Sequence, residues 1–227
     1  MADCTNLIRI CDKKLFEKAV THPSFIKDNA GAYDECYERL EFLGDSVLKL
    51  CVSGILYEKF PDYDEGRLTK IRGVIVSDAT LAKIAKKTEL DKYLKLGKGE
   101  ERTGGRERES ILACAFEAVL GACYLSGKFD KVLKFLDTEL ADYIAEVDSH
   151  LANYHAKEML QEYTQGINGE LPVYDTVQTS GSAHKPEFTS SVYFKGEMIA
   201  SAIGKNKKEA QQNCAYSACV KLGIIKE

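Results

Sequence analysis

Hydrophobic positions recur at three- and four-residue steps through most of the chain and change to strict alternation near residue 170. From residue 6 to about 148 this pattern predicts helix after helix, with no convincing strand. Tyr37–Tyr57 is mostly apolar with a few acidic positions. Ser77 stands where a helix cap belongs, ahead of Asp78–Thr88, in which Leu81, Ile84 and Ala85 recur at helical spacing. Gly97–Arg108 (GKGEERTGGRER) is polar and glycine-rich without an apolar period, and reads as a loop. Ser110–Leu125 resumes as a strongly apolar helix, and Phe129–Val147 supplies another.

The pattern changes after a short boundary at His150–Tyr154. A helix is expected at about 154–165, with Ala156, Met159, Leu160 and Tyr163 on one face. Pro172–Thr179, Phe188–Phe194 and Glu197–Ala202 then alternate, with Gly181 and Gly196 marking the turns of a small antiparallel sheet. Asn206, with Glu209 three residues on, starts a last helix carrying Ala210, Cys214, Ala218 and Leu222 at four-residue steps and stopping at Gly223. The expected architecture is two domains without internal repeat: an all-α domain over residues 6–148, then a small α+β domain of order α-β-β-β-α over 153–224.

Composition narrows the function. With 227 residues, 44 % hydrophobic and 29 % charged, the chain can bury a core, which excludes disorder throughout. No apolar run reaches the ~18–20 residues that cross a bilayer, so no membrane role is expected. The opening Met-Ala-Asp-Cys-Thr lacks the basic-then-apolar layout of a secretory signal. The eight cysteines (Cys4, Cys11, Cys36, Cys51, Cys114, Cys123, Cys214, Cys219) show no CxxC spacing, which argues for free thiols in a reducing cytoplasm and against zinc. The net charge of −4 speaks, taken alone, against nucleic-acid binding. Residues 151–227 balance eight lysines against eight acids, so binding of a polyanion would rest on local clusters.

Glu38, Glu41 and Asp45 fall within roughly 60° of one another on a helix, beside Leu40, Phe42, Leu43, Val47 and Leu48. Like charges at that spacing repel by a few tenths of a kcal/mol per pair. An ordinary exposed acidic stripe is one reading. Glu117, however, is the only charge across Ser110–Gly127, and Ala113, Ala118 and Gly121 around it allow close approach of another helix. A divalent cation shared by Glu41, Asp45 and Glu117 would relieve both the crowding and the lone carboxylate, and all-oxygen ligation suits Mg²⁺ or Mn²⁺. The competing arrangement is a structural bridge from Glu117 to Arg39 or Arg72.

The segment ERLEFLGDS at 38–46 resembles the signature of the bacterial ribonuclease III family. AVTHPSF (19–25), FPDYDEGRLTKIR (60–72) and RESILACAFEAVLGACYL (108–125) support the resemblance in the same order. KEMLQEYTQ (157–165), LPVY (171–174), GSAHKPEF (181–188) and GKNKKEAQQNCA (204–215) resemble a double-stranded-RNA-binding domain, so the likeness spans residues ~6–223. It implies a cytoplasmic, homodimeric, Mg²⁺-dependent endoribonuclease, with Mn²⁺ able to substitute and no small-molecule cofactor. Such an enzyme hydrolyses double-stranded RNA in rRNA and mRNA precursors by metal-activated water, leaving 5′-phosphate and 3′-hydroxyl ends. By the same resemblance Asp45 and Glu117 are tied most closely to catalysis, Glu41, Glu117 and Asp45 to the metal, and Glu38 and Glu65 to the cleavage valley. Phe42 and Gly44 would lie at the dimer interface, or pack within the subunit.

One position departs from the family. Cys114 stands where an acid, or less often an amide, precedes the catalytic glutamate by three residues, and a thiol is a poor Mg²⁺ ligand. Either water replaces the missing carboxylate, or activity shifts towards Mn²⁺, or the protein is a duplex-binding regulator with impaired cleavage. In the second domain the resemblance assigns Gln161, Gln165 and His184 to the RNA minor groove, with Glu158 where Thr is common. Lys205, Lys207 and Lys208, at the start of the last helix, form a phosphate cradle or else a solvated face. Tyr163, Tyr174, Phe188 and Tyr193 are expected in the core.

Overall fold

A computed structural model describes residues 10–30, 35–182 and 185–225. The chain divides into two compact units, Met1–Val147 and Asp148–Glu227. The first is helical: α1 (Lys13–Ala19), α2 (Pro23–Asp28), α3 (Glu38–Lys59), α4 (Glu65–Ile75), α5 (Asp78–Lys87), the short α6 (Lys98–Arg102), α7 (Glu109–Leu125) and α8 (Phe129–Ser149). Local chemistry sets several starts. Asp12 accepts from Lys14 N and Leu15 N at 2.9 and 3.1 Å, and Asp64 accepts from Arg67 N at 2.7 Å.

The strongly apolar α7 lies at the centre of this unit, burying Leu112, Ala115, Phe116, Val119, Leu120 and Cys123. Its most extensive helix contact is with α3. A Cβ on Gly44 would lie 1.8 Å from the Glu117 carbonyl oxygen, and one on Gly121 would lie 2.3 Å from the Leu40 carbonyl oxygen. The two backbones therefore touch, and no side chain fits between them. Gly44 thus belongs to an intramolecular crossing rather than to a surface open to a second subunit. From α5, Lys87 reaches the buried Glu139 of α8 at 2.9 Å.

Two local expectations change. Gly97–Arg108 is not a plain loop, because it holds α6 and a 3₁₀ turn at Gly105–Glu107. Polar bonds rather than burial order it. Gly97 N and Lys98 N donate to Ser24 Oγ and Asp28 Oδ2 at 2.9 and 2.7 Å, and Arg106 pairs with Glu101 while donating to the Asp91 and Leu94 carbonyls. A hydrophobic period cannot report such bonds. Ser77 does precede α5, but its hydroxyl donates to the Val74 carbonyl at 2.7 Å instead of capping the helix.

The second unit contains α9 (Leu151–Asn168), β1 (Val173–Ser182), β2 (Lys185–Phe194), β3 (Glu197–Gly204) and α10 (Lys207–Lys221). The strands form one antiparallel sheet in chain order. Gly181 lies within β1, opposite Pro186, rather than in a turn, because pairing continues to Ser182 and Lys185. Lys195 and Gly196 both have positive φ (54° and 77°), the backbone of a two-residue hairpin turn that matches strand twist. Ala156 and Leu160 of α9, Val192 of β2, and Cys214, Ala215, Ala218 and Cys219 of α10 make the core. Tyr163 is exposed; Thr164, four residues after Leu160, takes the buried place instead. No described helix is long and apolar enough to cross a membrane.

Gly44→Ala is expected to cost about 3 kcal/mol in urea unfolding, since the methyl group meets rigid backbone. Gly54 sits in the same helix with nothing within 4 Å of its Cβ position. There the same change stabilises by about 0.5–1 kcal/mol. Equal effects at the two positions would contradict the close crossing.

Candidate functional site

The α3–α7 crossing places Glu117 beside the acidic stripe of α3. Its carboxyl is half-buried and raised to about 7, first by burial and then by the charges of Asp45, Glu41 and Asp78, with Lys49 opposing. Asp45 accepts from Lys49 Nζ at 2.8 Å. Cys114, one turn before Glu117, donates to Glu41, and burial with that contact pushes its thiol up to about 12. It is a protonated thiol at neutral pH, not a thiolate. The buried phenol of Tyr37 is also shifted upward, by burial and then by Cys114, Glu41 and Glu38, which puts Glu38 at the edge of the same cluster. Glu38 accepts from Cys36 Sγ at 3.2 Å.

Other expected members stand differently. Glu65 opens α4, where Thr69 Oγ1 donates to it at 3.2 Å, and it is not among the charges acting most strongly on Glu117. Among the described residues neither Arg39 nor Arg72 bridges to Glu117; Arg72 donates to Ser53 Oγ at 2.8 Å. Phe42 points to solvent at 80 % exposure and continues along α3 through Leu50 and Tyr57, at 62 % and 75 %.

The second unit presents a separate surface. Gln161 and Gln165 are exposed one turn apart on α9. Glu158 on the same helix pairs with His155 at 2.8 Å. At the start of α10, Asn206 accepts from Glu209 N at 2.9 Å, and Glu209 accepts from Lys205 N at 2.9 Å. This doubly bonded cap fixes the helix start, with Lys205, Lys207 and Lys208 exposed around it, their charges adding to the positive helix end. His184 lies outside the described residues.

Both halves of the chain match known protein families. The family model described as ribonuclease-III-like matches residues 12–144, and that for the double-stranded RNA binding motif matches 156–222. Ribonuclease 3 of Natranaerobius thermophilus is 43 % identical over 212 residues, 93 % of this chain and 91 % of that protein. The chain belongs to the ribonuclease III family. It is an endoribonuclease of that type, acting on double-stranded RNA. Ribonuclease 3 of Helicobacter acinonychis is 42 % identical over 95 % of this chain and 89 % of its own length. The nuclease domain of Campylobacter jejuni ribonuclease III is 36 % identical, with TM-score 0.51, covering 64 % of this chain and 96 % of that one. A second structure of that domain, 39 % identical at TM-score 0.51 over 56 % of this chain and 87 % of that one, concerns flexibility in its dimer-forming region.

Ribonuclease III chemistry is generally divalent-metal dependent, and the residue types gathered here are the oxygen donors that such an ion takes. Three carboxylates raise the pKa of a fourth that burial already disfavours in its charged form, an environment that a small hard cation relieves. These carboxylates lie near one another without a formed ligand cage, for no group of three or more His, Cys, Asp or Glu among the described residues stands in metal-holding geometry. Sequence reasoning missed Asp78, whose charge acts on both Cys114 and Glu117. As the first residue of α5 it looks like ordinary helix-start acidity, and only the packing of α5 on α7 brings it near the site.

Glu117 keeps a proton in the folded protein between about pH 4.5 and 7 that the unfolded chain has lost, so its contribution to stability falls as pH rises through that window. In metal-free buffer the melting temperature of Glu117→Gln should therefore gain on the parent between pH 5 and 8, with no further divergence below pH 4. Parallel pH curves would contradict the buried carboxyl.

Proposed function

We propose that the chain is a Mg²⁺-dependent, homodimeric ribonuclease that cuts both rRNA and mRNA precursors, leaving 5′-phosphate and 3′-hydroxyl ends. The observation that carries this reading is the half-buried Glu117 facing Asp45 and Glu41 across a backbone-to-backbone helix crossing, with the charge of Asp78 on α5 added to theirs. Glu41, Asp45 and Glu117 would hold the ion. When bound, it supplies Lewis-acid charge that activates water and offsets the charge developing on the phosphate.

The chain's own groups prepare that site. Glu117, fixed through the backbone contact at Gly44, holds its carboxylate where the stripe of α3 converges. Asp45 and Lys49 form an exchangeable ion pair. Cys114 stays a thiol bonded to Glu41 and orients it, while Asp78 returns the negative charge missing at residue 114. Glu38 and Glu65 are assigned to the rim of the cleavage valley. The exposed stripe Phe42, Leu50 and Tyr57 supports dimerisation through α3. We assign residues 6–148 to the nuclease domain and 153–224 to the duplex-binding domain. There Gln161, Gln165 and His184 take the minor groove, and Lys205, Lys207 and Lys208 take the phosphates.

Incubation of the full chain with a long RNA duplex and Mg²⁺ should yield short duplex products. Glu117→Gln should lose cleavage by at least about a thousandfold while retaining duplex binding. Intact RNA with both Mg²⁺ and Mn²⁺ would leave a binding protein with a disabled site. Replacing Lys207 and Lys208 by Ala should weaken binding to all duplexes alike and lower the slope of log affinity against log salt by about 2. An unchanged slope would reduce the lysines to a solvated face.

A further inference from the structure

The nuclease unit holds a second pair of reactive groups that cleavage does not use. Cys11 is partly exposed just before α1, and Cys123 is fully buried on α7, six residues beyond Glu117. Their side chains are hydrogen-bonded to each other. Ser126, one turn beyond Cys123, strengthens the contact. Its Oγ lies 3.8 Å from the Cys11 sulfur, accepts from Asp12 N at 2.8 Å and donates to the Ala122 carbonyl at 2.7 Å. Cys11 and Asp12 are thus pinned to the last turn of α7. A shallow pocket lined by Ile10, Leu15, Leu125 and Lys128 opens onto Cys11.

The pair also stands apart chemically. The bond from Cys123 holds the Cys11 thiol below its ordinary value, against the opposing effect of burial. Cys36, Cys51, Cys114, Cys214 and Cys219 are all pushed up by burial. Among these cysteines only Cys11 is shifted towards thiolate, and it has a second sulfur within reach.

We infer that Cys11 and Cys123 form a thiol-modification site that takes small organic disulfides and closes into an intramolecular disulfide. The Cys11 thiolate attacks one sulfur of the organic disulfide, forming a mixed disulfide and expelling one thiolate. Cys123 gives up its proton to that thiolate, and its sulfur attacks the sulfur of Cys11, expelling the second thiolate, which takes up a proton from solvent. Two protein thiols are oxidised by two electrons, and one organic disulfide is reduced to two thiols. The new bond clasps the helix that carries Glu117 to the start of the unit, across a long loop of chain.

Treating the full chain with oxidised glutathione, alkylating the remaining thiols and mapping peptides by mass spectrometry tests this. The expected product is a Cys11–Cys123 linked peptide two hydrogen masses lighter than its parts, reversed by dithiothreitol. The melting temperature should rise by about 5 °C on oxidation. Cys11→Ser, a surface change, should abolish both the linked peptide and the shift, and Cys123→Ala should stop at a glutathione adduct on Cys11. Alkylated, unlinked Cys11 in the treated parent chain, or a glutathione adduct that persists there, would overturn the proposal.

Discussion

The contact of the Gly44 position with the Glu117 carbonyl, where even a methyl group would lie 1.8 Å from oxygen, fixes how α3 and α7 meet. Gly121 makes the reciprocal approach to Leu40. Two glycines thus bring two backbones to van der Waals contact, and the side chains flanking them have no freedom to settle elsewhere. Glu117, whose own carbonyl makes one contact and which stands four residues before Gly121 at the other, is held towards Glu41 and Asp45. The apolar burial of α7 holds a carboxyl where electrostatics alone would expel it.

Function and stability pull against each other at this point. Burial and three like charges lift the Glu117 carboxyl to about 7, so the metal-free fold carries an electrostatic penalty at neutral pH. The neighbouring Cys114 moderates it, because a protonated thiol adds a donor to Glu41 rather than a further negative charge. The family departure at residue 114 therefore has a local physical logic: Asp78, on a different helix, contributes negative charge to the same cluster. The second unit faces no comparable conflict. Lys205, Lys207 and Lys208 are exposed, the helix start is capped by Asn206, and the core is mainly apolar.

Long periodic segments were legible in the sequence. The apolar runs that became α3, α7 and α8 carry their burial in their spacing, whereas alternation located the strands of the second unit but not their buried face, since Val173 and Val177 of β1 are exposed. The lone charge of Glu117 in an apolar helix drew attention to itself for the same reason. Elements held by polar bonds were not legible, since α6 depends on Asp28, Ser24 and Arg106 reaching across the fold. Ser77 shows the same limit, for its hydroxyl has two nearby carbonyl and amide choices and composition does not rank them. Gly44 looked equally suited to an interface or a crossing, and only the position of α7 decides. Asp78 required tertiary packing to be seen at all.

Under the proposed function, acidic side chains from two helices share one divalent ion, and Glu117 loses its proton as the ion binds. Calorimetric titration of Mg²⁺ or Mn²⁺ into the full chain at pH 6.5, repeated in buffers of different ionisation enthalpy, counts that proton directly. The account predicts release of a substantial fraction of one proton per ion, absent in Glu117→Gln, which also binds more weakly. Binding of equal strength and equal proton count in both proteins would contradict it.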